Sequence, residues 1–169
     1  MAEFGAQFVV ARWETLSALG PGFAEVAAEL GVPDGRLRYD AEPPTAEALE
    51  SRLARDLERG VTGLGPHLDE IGVLSGDRDL RSFGSQGEQR LAVLALLLAE
   101  AELVSERRGF PPLLLLDDVL SELDRDRRRT LLARLPAGGQ TVITATEADA
   151  LPAEPAQVVS VTPGAAWSA

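Results

Sequence analysis

Phe83-Gly84-Ser85-Gln86-Gly87-Glu88-Gln89-Arg90 opens the stretch that decides the fold, and Leu113-Leu114-Leu115-Leu116-Asp117-Asp118-Val119-Leu120-Ser121-Glu122-Leu123-Asp124 closes it. A long apolar segment runs between them. Pro111-Pro112 stops any helix ahead of the leucines, because proline lacks an N–H donor and restricts the residue before it. Leucines in an unbroken run, without alternation, predict a strand buried on both faces, as in a parallel sheet with helices on each side. Asp117 and Asp118 then fall at the carboxyl end of that strand, where open α/β sheets bind ligands. One carboxylate there can hold Mg²⁺, directly or through water. The next can orient or deprotonate an attacking water. An acid-capped strand end before a helix fits the same pattern equally well.

The opening segment has a different chemistry. Ser85 suits an N-cap and Glu88 follows three residues later, the spacing of a capping box. Gly84 and Gly87 let a ligand approach the backbone closely. A helix N-terminus offers free N–H groups and partial positive charge, which suits a phosphate. Taken alone, a well-capped helix is the plainer reading.

Outward from this stretch, Phe4 to Leu30 reads as helix, with Phe8, Ala11, Leu16, Leu19, Phe23, Val26 and Leu30 as its apolar set. Gly20-Pro21-Gly22 is expected to break it into two pieces. Leu37 to Tyr39 suits a short strand. Pro43-Pro44-Thr45 starts a helix over Ala46 to Arg59, with Leu49, Leu53 and Leu57 on one face. The loop Gly60 to Asp69 holds the only histidine, His67. No partner at metal-ligand spacing accompanies it, so a structural role is expected. Ile71 to Leu74 and Leu80 to Phe83 flank a Gly/Asp turn and suggest a hairpin. The helix after Ser85 is apolar nearly all round at its start and should be central. Arg125 to Arg129 open a further helix, whose arginines fit a solvated face or a phosphate contact. Thr141 to Thr144 is a β-branched run expected in the core. Val158 to Val161 is a further short strand, and Pro163 to Ala169 reads as frayed.

The chain has 169 residues, enough for one domain with a core. It has no cysteine, which excludes disulfides and thiolate metal sites. No span has the layout of a signal peptide or the length to cross a membrane, so a cytoplasmic protein without a membrane partner is the expectation. Net charge is −11, and all 16 basic residues are arginine. A generally basic nucleic-acid surface is thereby excluded, though not a local arginine patch. The lack of lysine also excludes a P-loop, G-x-x-x-x-G-K-[ST], whose lysine reaches the β- and γ-phosphates.

Ser85-Gln86-Gly87-Glu88-Gln89-Arg90, a helix, and then the leucine run with Asp117-Asp118-Val119-Leu120-Ser121-Glu122-Leu123-Asp124 together resemble the RecF family, DNA-repair ATPases of the ABC/SMC-like class. Gly65-Pro66-His67 and Thr144-Ala145-Thr146 are also similar to it. The loop departs from the family's Gly-Pro-His-Arg-Asp-Asp at Leu68, where an arginine is lost. The resemblance implies an α/β fold: the C-terminal half of an ABC-type ATPase head, a mostly parallel sheet flanked by helices. Residues 1–35 would be the remnant of a helical arm and 36–169 the head portion. Heads of this class pair with ATP between them, one giving the P-loop and the other its signature loop. Ser85, Gln86, Gly87 and Glu88 would then contact, in trans, the nucleotide of the opposite head. Glu88 stands where Gln is more usual. Asp117 would serve Mg²⁺ and Asp118 would act on the attacking water. Ser121, Glu122 and Asp124 would form the D-loop, and Thr146 would fall near the switch position.

ATP and Mg²⁺ are implied only together with an N-terminal half that carries the P-loop. Implied partners are DNA at single-/double-strand junctions, recombination mediator proteins and, for the full-length protein, an ATP-dependent homodimer. The implied roles are ATP-dependent DNA binding and mediator loading in recombinational repair and the SOS response. The rival expectation is a non-catalytic fragment, or a binding or assembly module, of an SMC-like or ABC-type ATPase.

Overall fold

The computed structural model describes residues 1–121, 123–147 and 150–168, arranged as two compact units, Met1–Glu100 and Ala101–Ala169. The first unit begins with helix α1, Ala2–Leu30, which runs without a break through Pro21. The expected interruption at Gly20-Pro21-Gly22 does not occur. A proline inside a helix costs about 3 kcal/mol through its lost N–H and its ring clash. Directly beyond it Phe23, Val26, Ala27 and Leu30 are fully buried. Each large apolar side chain gains roughly 1.5–3 kcal/mol on burial, so together they outweigh the proline. The helix stops at Gly31, whose N–H reaches the carbonyls of Ala27 and Ala28 and whose left-handed conformation turns the Val32 N–H back to the Ala27 carbonyl at 2.8 Å. Nearer the start of the helix, Phe8 of the apolar set is exposed, as are Phe4 and Trp13, while Val9 is buried.

Strand β1, Gly35–Arg38, packs against α1 so closely that a Cβ on Gly35 would stand 2.8 Å from the Cβ of Ala27. Helix α2, Ala46–Arg59, has the expected bounds, with the Thr45 hydroxyl accepting from the Ala48 amide at 3.1 Å. Its leucine face is not covered among the described residues: Leu53 is 55% exposed and Leu57 73%. Strands β2, Gly72–Ser75, and β3, Arg78–Asp79, complete an antiparallel sheet in the order β1-β2-β3, with Leu37 opposite Val73. The second arm of the expected hairpin ends early. Leu80–Phe83 is a short helix, α3, because Asp79 caps it by accepting from the Ser82 amide at 3.1 Å. Helix α4, Gln86–Arg108, follows. Leu91, Leu94, Ala95 and Leu98 are buried along it, as its apolar start predicts.

In the second unit, strand β4, Leu114–Leu116, pairs in parallel with β5, Thr141–Ile143, placing Leu115 opposite Val142. Helix α5, Arg125–Ala133, connects them, with Asp124 as its N-cap. The leucine run is buried on one face only. Leu114 and Leu116 are buried, while Leu115 is 68% exposed and Val142, beside it, is exposed too. Strand periodicity sets this: neighbouring side chains point to opposite faces, and the described residues cover one of them. For the same reason β5 is half-exposed rather than a core strand. Of the tail expected to be frayed, residues 163–168 are ordered and Ala169 lies outside the described residues: β6, Val159–Thr162, and β7, Ala165–Ser168, form a hairpin that turns through Gly164 at φ 82°. Parallel pairing among the described strands is thus confined to β4 and β5.

Candidate functional site

β4 delivers Asp117 and Asp118 to the exposed carboxyl end of the parallel pair. The ladder continues one step past the strand, with the Thr144 amide donating to the Leu116 carbonyl at 2.9 Å. That step sets the Thr144 side chain against both acids. Its hydroxyl accepts from the Asp118 amide at 2.9 Å and donates to Asp117 Oδ1. One hydroxyl thereby fixes a carboxylate and the backbone next to it. Asp118 sits at φ 49°, a left-handed conformation that aspartate tolerates better than most residues. The turn tightens further where the Ser121 hydroxyl donates to the Asp118 carbonyl at 2.9 Å. Asp118, Ser121 and Thr146 line one open cavity of about 300 Å³, together with Arg128 and Glu147.

Of the residues singled out from sequence, the structure therefore gathers Asp117, Asp118, Ser121 and Thr146 around one strand end. Asp124 is placed as a helix cap, accepting from the Arg127 amide at 2.9 Å. Glu122 lies outside the described residues. Thr144 was legible as a β-former and as part of the Thr144-Ala145-Thr146 resemblance, with no role of its own assigned. That a hydroxyl ends this strand beside the acids of the neighbouring one is the clue the sequence held.

Among the described residues there is no cluster of three His, Asp or Glu side chains able to hold a metal alone. The donor set still fits Mg²⁺, which is commonly bound by one or two carboxylates plus substrate phosphates and water. Asp117, exposed and with one oxygen oriented by Thr144, is the carboxylate that would hold it.

Within the first unit, the start of α4 is a complete capping box. The Ser85 hydroxyl accepts from the Glu88 amide at 3.2 Å, and the Ser85 amide donates to Glu88 Oε2 at 2.9 Å. Arg78 donates to the other carboxylate oxygen at 2.8 Å. The Arg78 contact first, and then the Ser85 bonds, hold the Glu88 carboxyl down to about 2. The Glu88 charge is thus partnered rather than bare. Gln89 anchors the loop ahead of the helix by donating to the carbonyls of Leu80, at 2.8 Å, and Gly84, at 3.2 Å. The lone histidine bonds only locally, its Nε2 standing 3.0 Å from the Thr62 carbonyl.

A pH prediction arises here. A folded pKa below the ordinary carboxylate value means that Glu88 stabilises the fold above about 4.5 and loses that contribution as pH falls toward about 2. Carboxyl-carbon NMR should find Glu88 still ionised at pH 3. Arg78→Ala should move its titration back toward the ordinary value. An unchanged titration would remove Arg78 as the main cause.

The fold is that of an ABC-type ATPase head portion, mixed helix and sheet with a parallel pair carrying the acids. In the structure of the recombination mediator protein RecF with ATP, 48% of that chain superimposes on 99% of this one, with TM-score 0.79 and 29% identity. Among curated proteins, the DNA replication and repair protein RecF of Anaeromyxobacter dehalogenans (strain 2CP-1) is 43% identical over 162 residues, 85% of this chain. RecF of Symbiobacterium thermophilum is 42% identical over 167 residues, 89% of this chain. The chain matches a C-terminal portion of RecF. It spans less than half of those relatives, 43% and 44% of their lengths. An SMC ATPase structure shares the fold, at TM-score 0.56 and 20% identity over 95% of this chain. No family model matches. Among the described residues no helix is long and apolar enough to cross a membrane.

Proposed function

We propose that this chain supplies the signature helix and the Walker B carboxylates of a RecF-type ATPase, and works in DNA replication and repair together with a half that carries the P-loop. The carrying observation is the Asp117-Asp118 turn, held by Thr144 and opening on the cavity shared with Ser121 and Thr146. Residues 1–35 are the arm remnant and 36–169 the head portion in this reading. Asp117 binds Mg²⁺, and Asp118 positions and deprotonates the attacking water. Mg²⁺ supplies charge neutralisation on the phosphates when bound. Ser85, Gln86, Gly87 and Glu88 present a helix N-terminus to the nucleotide of the opposite head, Ser121, Glu122 and Asp124 meet that head, and Thr146 senses the γ-phosphate position. The exposed Leu115 and Val142 pair suits a sheet face that the complementing half covers.

ATP-dependent homodimerisation, DNA binding at strand junctions, loading of recombination mediators and a part in the SOS response belong to the assembled protein. A net charge of −11 directs any DNA contact to local arginines and makes it salt-sensitive. The test is reconstitution. The isolated chain, lacking lysine, should show neither micromolar ATP affinity nor Mg²⁺-dependent turnover. ATPase activity should appear when a P-loop-bearing RecF N-terminal half is co-expressed. Turnover by the chain alone, or none from the pair, overturns the reading.

A further inference from the structure

We propose that Arg128 is a positioning residue that clamps the loop after Asp118 to the loop after β5, so that the two walls of the Asp118 cavity move as one. Sequence leaves Arg128 among a run of arginines suited to solvent or phosphate. The structure commits it elsewhere. It is half-buried on α5, and its Nε–H lies 3.0 Å from the carbonyl of Leu120 and 3.0 Å from that of Leu123. Its Nη1 donates to the carbonyl of Ala150 at 3.1 Å. Leu120 and Leu123 are both buried, so the loop is pinned by its side chains from one side and by the guanidinium from the other. At the Ala150 end, the Ala150 amide donates to the Glu147 carbonyl at 3.3 Å. Asp118 and Ser121 come from the first loop, and Thr146 and Glu147 from the second, and Arg128 lines the cavity with them.

Charge and shape explain why arginine suits this task. Guanidinium is a rigid planar fork with five N–H donors and no acceptor, always charged at working pH. It can serve carbonyls in different directions at once, and charged donors make the stronger hydrogen bonds. Lysine presents one compact ammonium on a flexible stem, and cannot span the same three carbonyls in fixed geometry. The clamp's use in catalysis rests on the ATPase reading, but its geometry does not. It can therefore be tested on the chain alone, without nucleotide, and its failure is separable from failure of that reading.

The experiment is amide hydrogen exchange on the isolated chain. In Arg128→Met, amides of the described residues of both loops, Val119, Leu120, Ser121 and Leu123 in the first and Thr146, Glu147 and Ala150 in the second, should exchange at least tenfold faster, with α1 and β1 unchanged. A coupling readout separates clamping from bulk stability. Ser121→Gly loosens the first loop only. With Arg128 present it should speed exchange in the second loop at least threefold, and in the Arg128→Met background it should not. Arg128→Lys keeps stem and charge, guards against a misfolded Met variant, and should lose most of the coupling. If Ser121→Gly leaves the second loop untouched in the parent chain, or coupling survives in both Arg128 variants, the clamp is overturned.

Discussion

Asp118→Asn, in the chain reconstituted with a P-loop-bearing half, is expected to lower ATP turnover roughly 10²–10⁴-fold, the usual contribution of a positioned general base. The substitution is chosen for the backbone. Asp118 occupies a left-handed conformation at φ 49°, which asparagine tolerates at least as well. Its amide still finds the Thr144 hydroxyl, because that bond uses the main chain. Asp117 keeps its charge and its Thr144 partner, so metal and nucleotide should still bind. What disappears is the carboxylate facing the cavity. Steady-state ATPase rates, alongside nucleotide binding and ATP-driven pairing by light scattering, read the result. Pairing should persist or lengthen while turnover falls. Turnover unchanged with pairing intact would remove Asp118 as the base and return the paired acids to a capped strand end.

A comparable effect on stability is expected at the other end of the chain. Phe23 is fully buried on α1, so Phe23→Ala should cost about 3–5 kcal/mol through lost transfer energy and the cavity left behind. That is a large part of the roughly 5–15 kcal/mol by which domains are stable. Phe8, on the same helix, is exposed and stacks on the Arg12 guanidinium, 4.6 Å from its ring centroid. Phe8→Ala should cost about 0.5–1 kcal/mol, the range of an exposed cation–π pair. Urea unfolding midpoints measure both. Equal losses would mean that the outer part of α1 is packed as tightly as its inner part. A small loss at Phe23 would mean that α1 is an independent arm rather than part of the unit's core.

Short-range features were legible. Thr45 before α2, Ser85 with Glu88 before α4 and the acids ending β4 could all be placed from residue order. Each depends on partners a few residues away or on the edge of a single strand, and such hydrogen bonds are encoded by spacing alone. Local preference gives way where packing or a cap opposes it. Pro21 should break a helix, but the buried face beyond it keeps α1 whole. Leu80 to Phe83 could extend a strand, until the cap from Asp79 turns it into helix.

What only the tertiary structure decided lies at longer range. Thr144 is 27 residues from Asp117 and Arg128 is 22 from Ala150, so no motif spacing joins them. Which face of the leucine run is covered follows from the elements that pack on it, and four identical side chains carry no record of that. The sequence by itself determined the chemistry available at the strand end, because carboxylates, a capped helix start and the lack of lysine are properties of the residues. Which hydroxyl orients those acids and which guanidinium fastens the loops beside them is a property of the fold, because only parallel pairing of β4 with β5 and the return of α5 bring their donors within hydrogen-bonding distance.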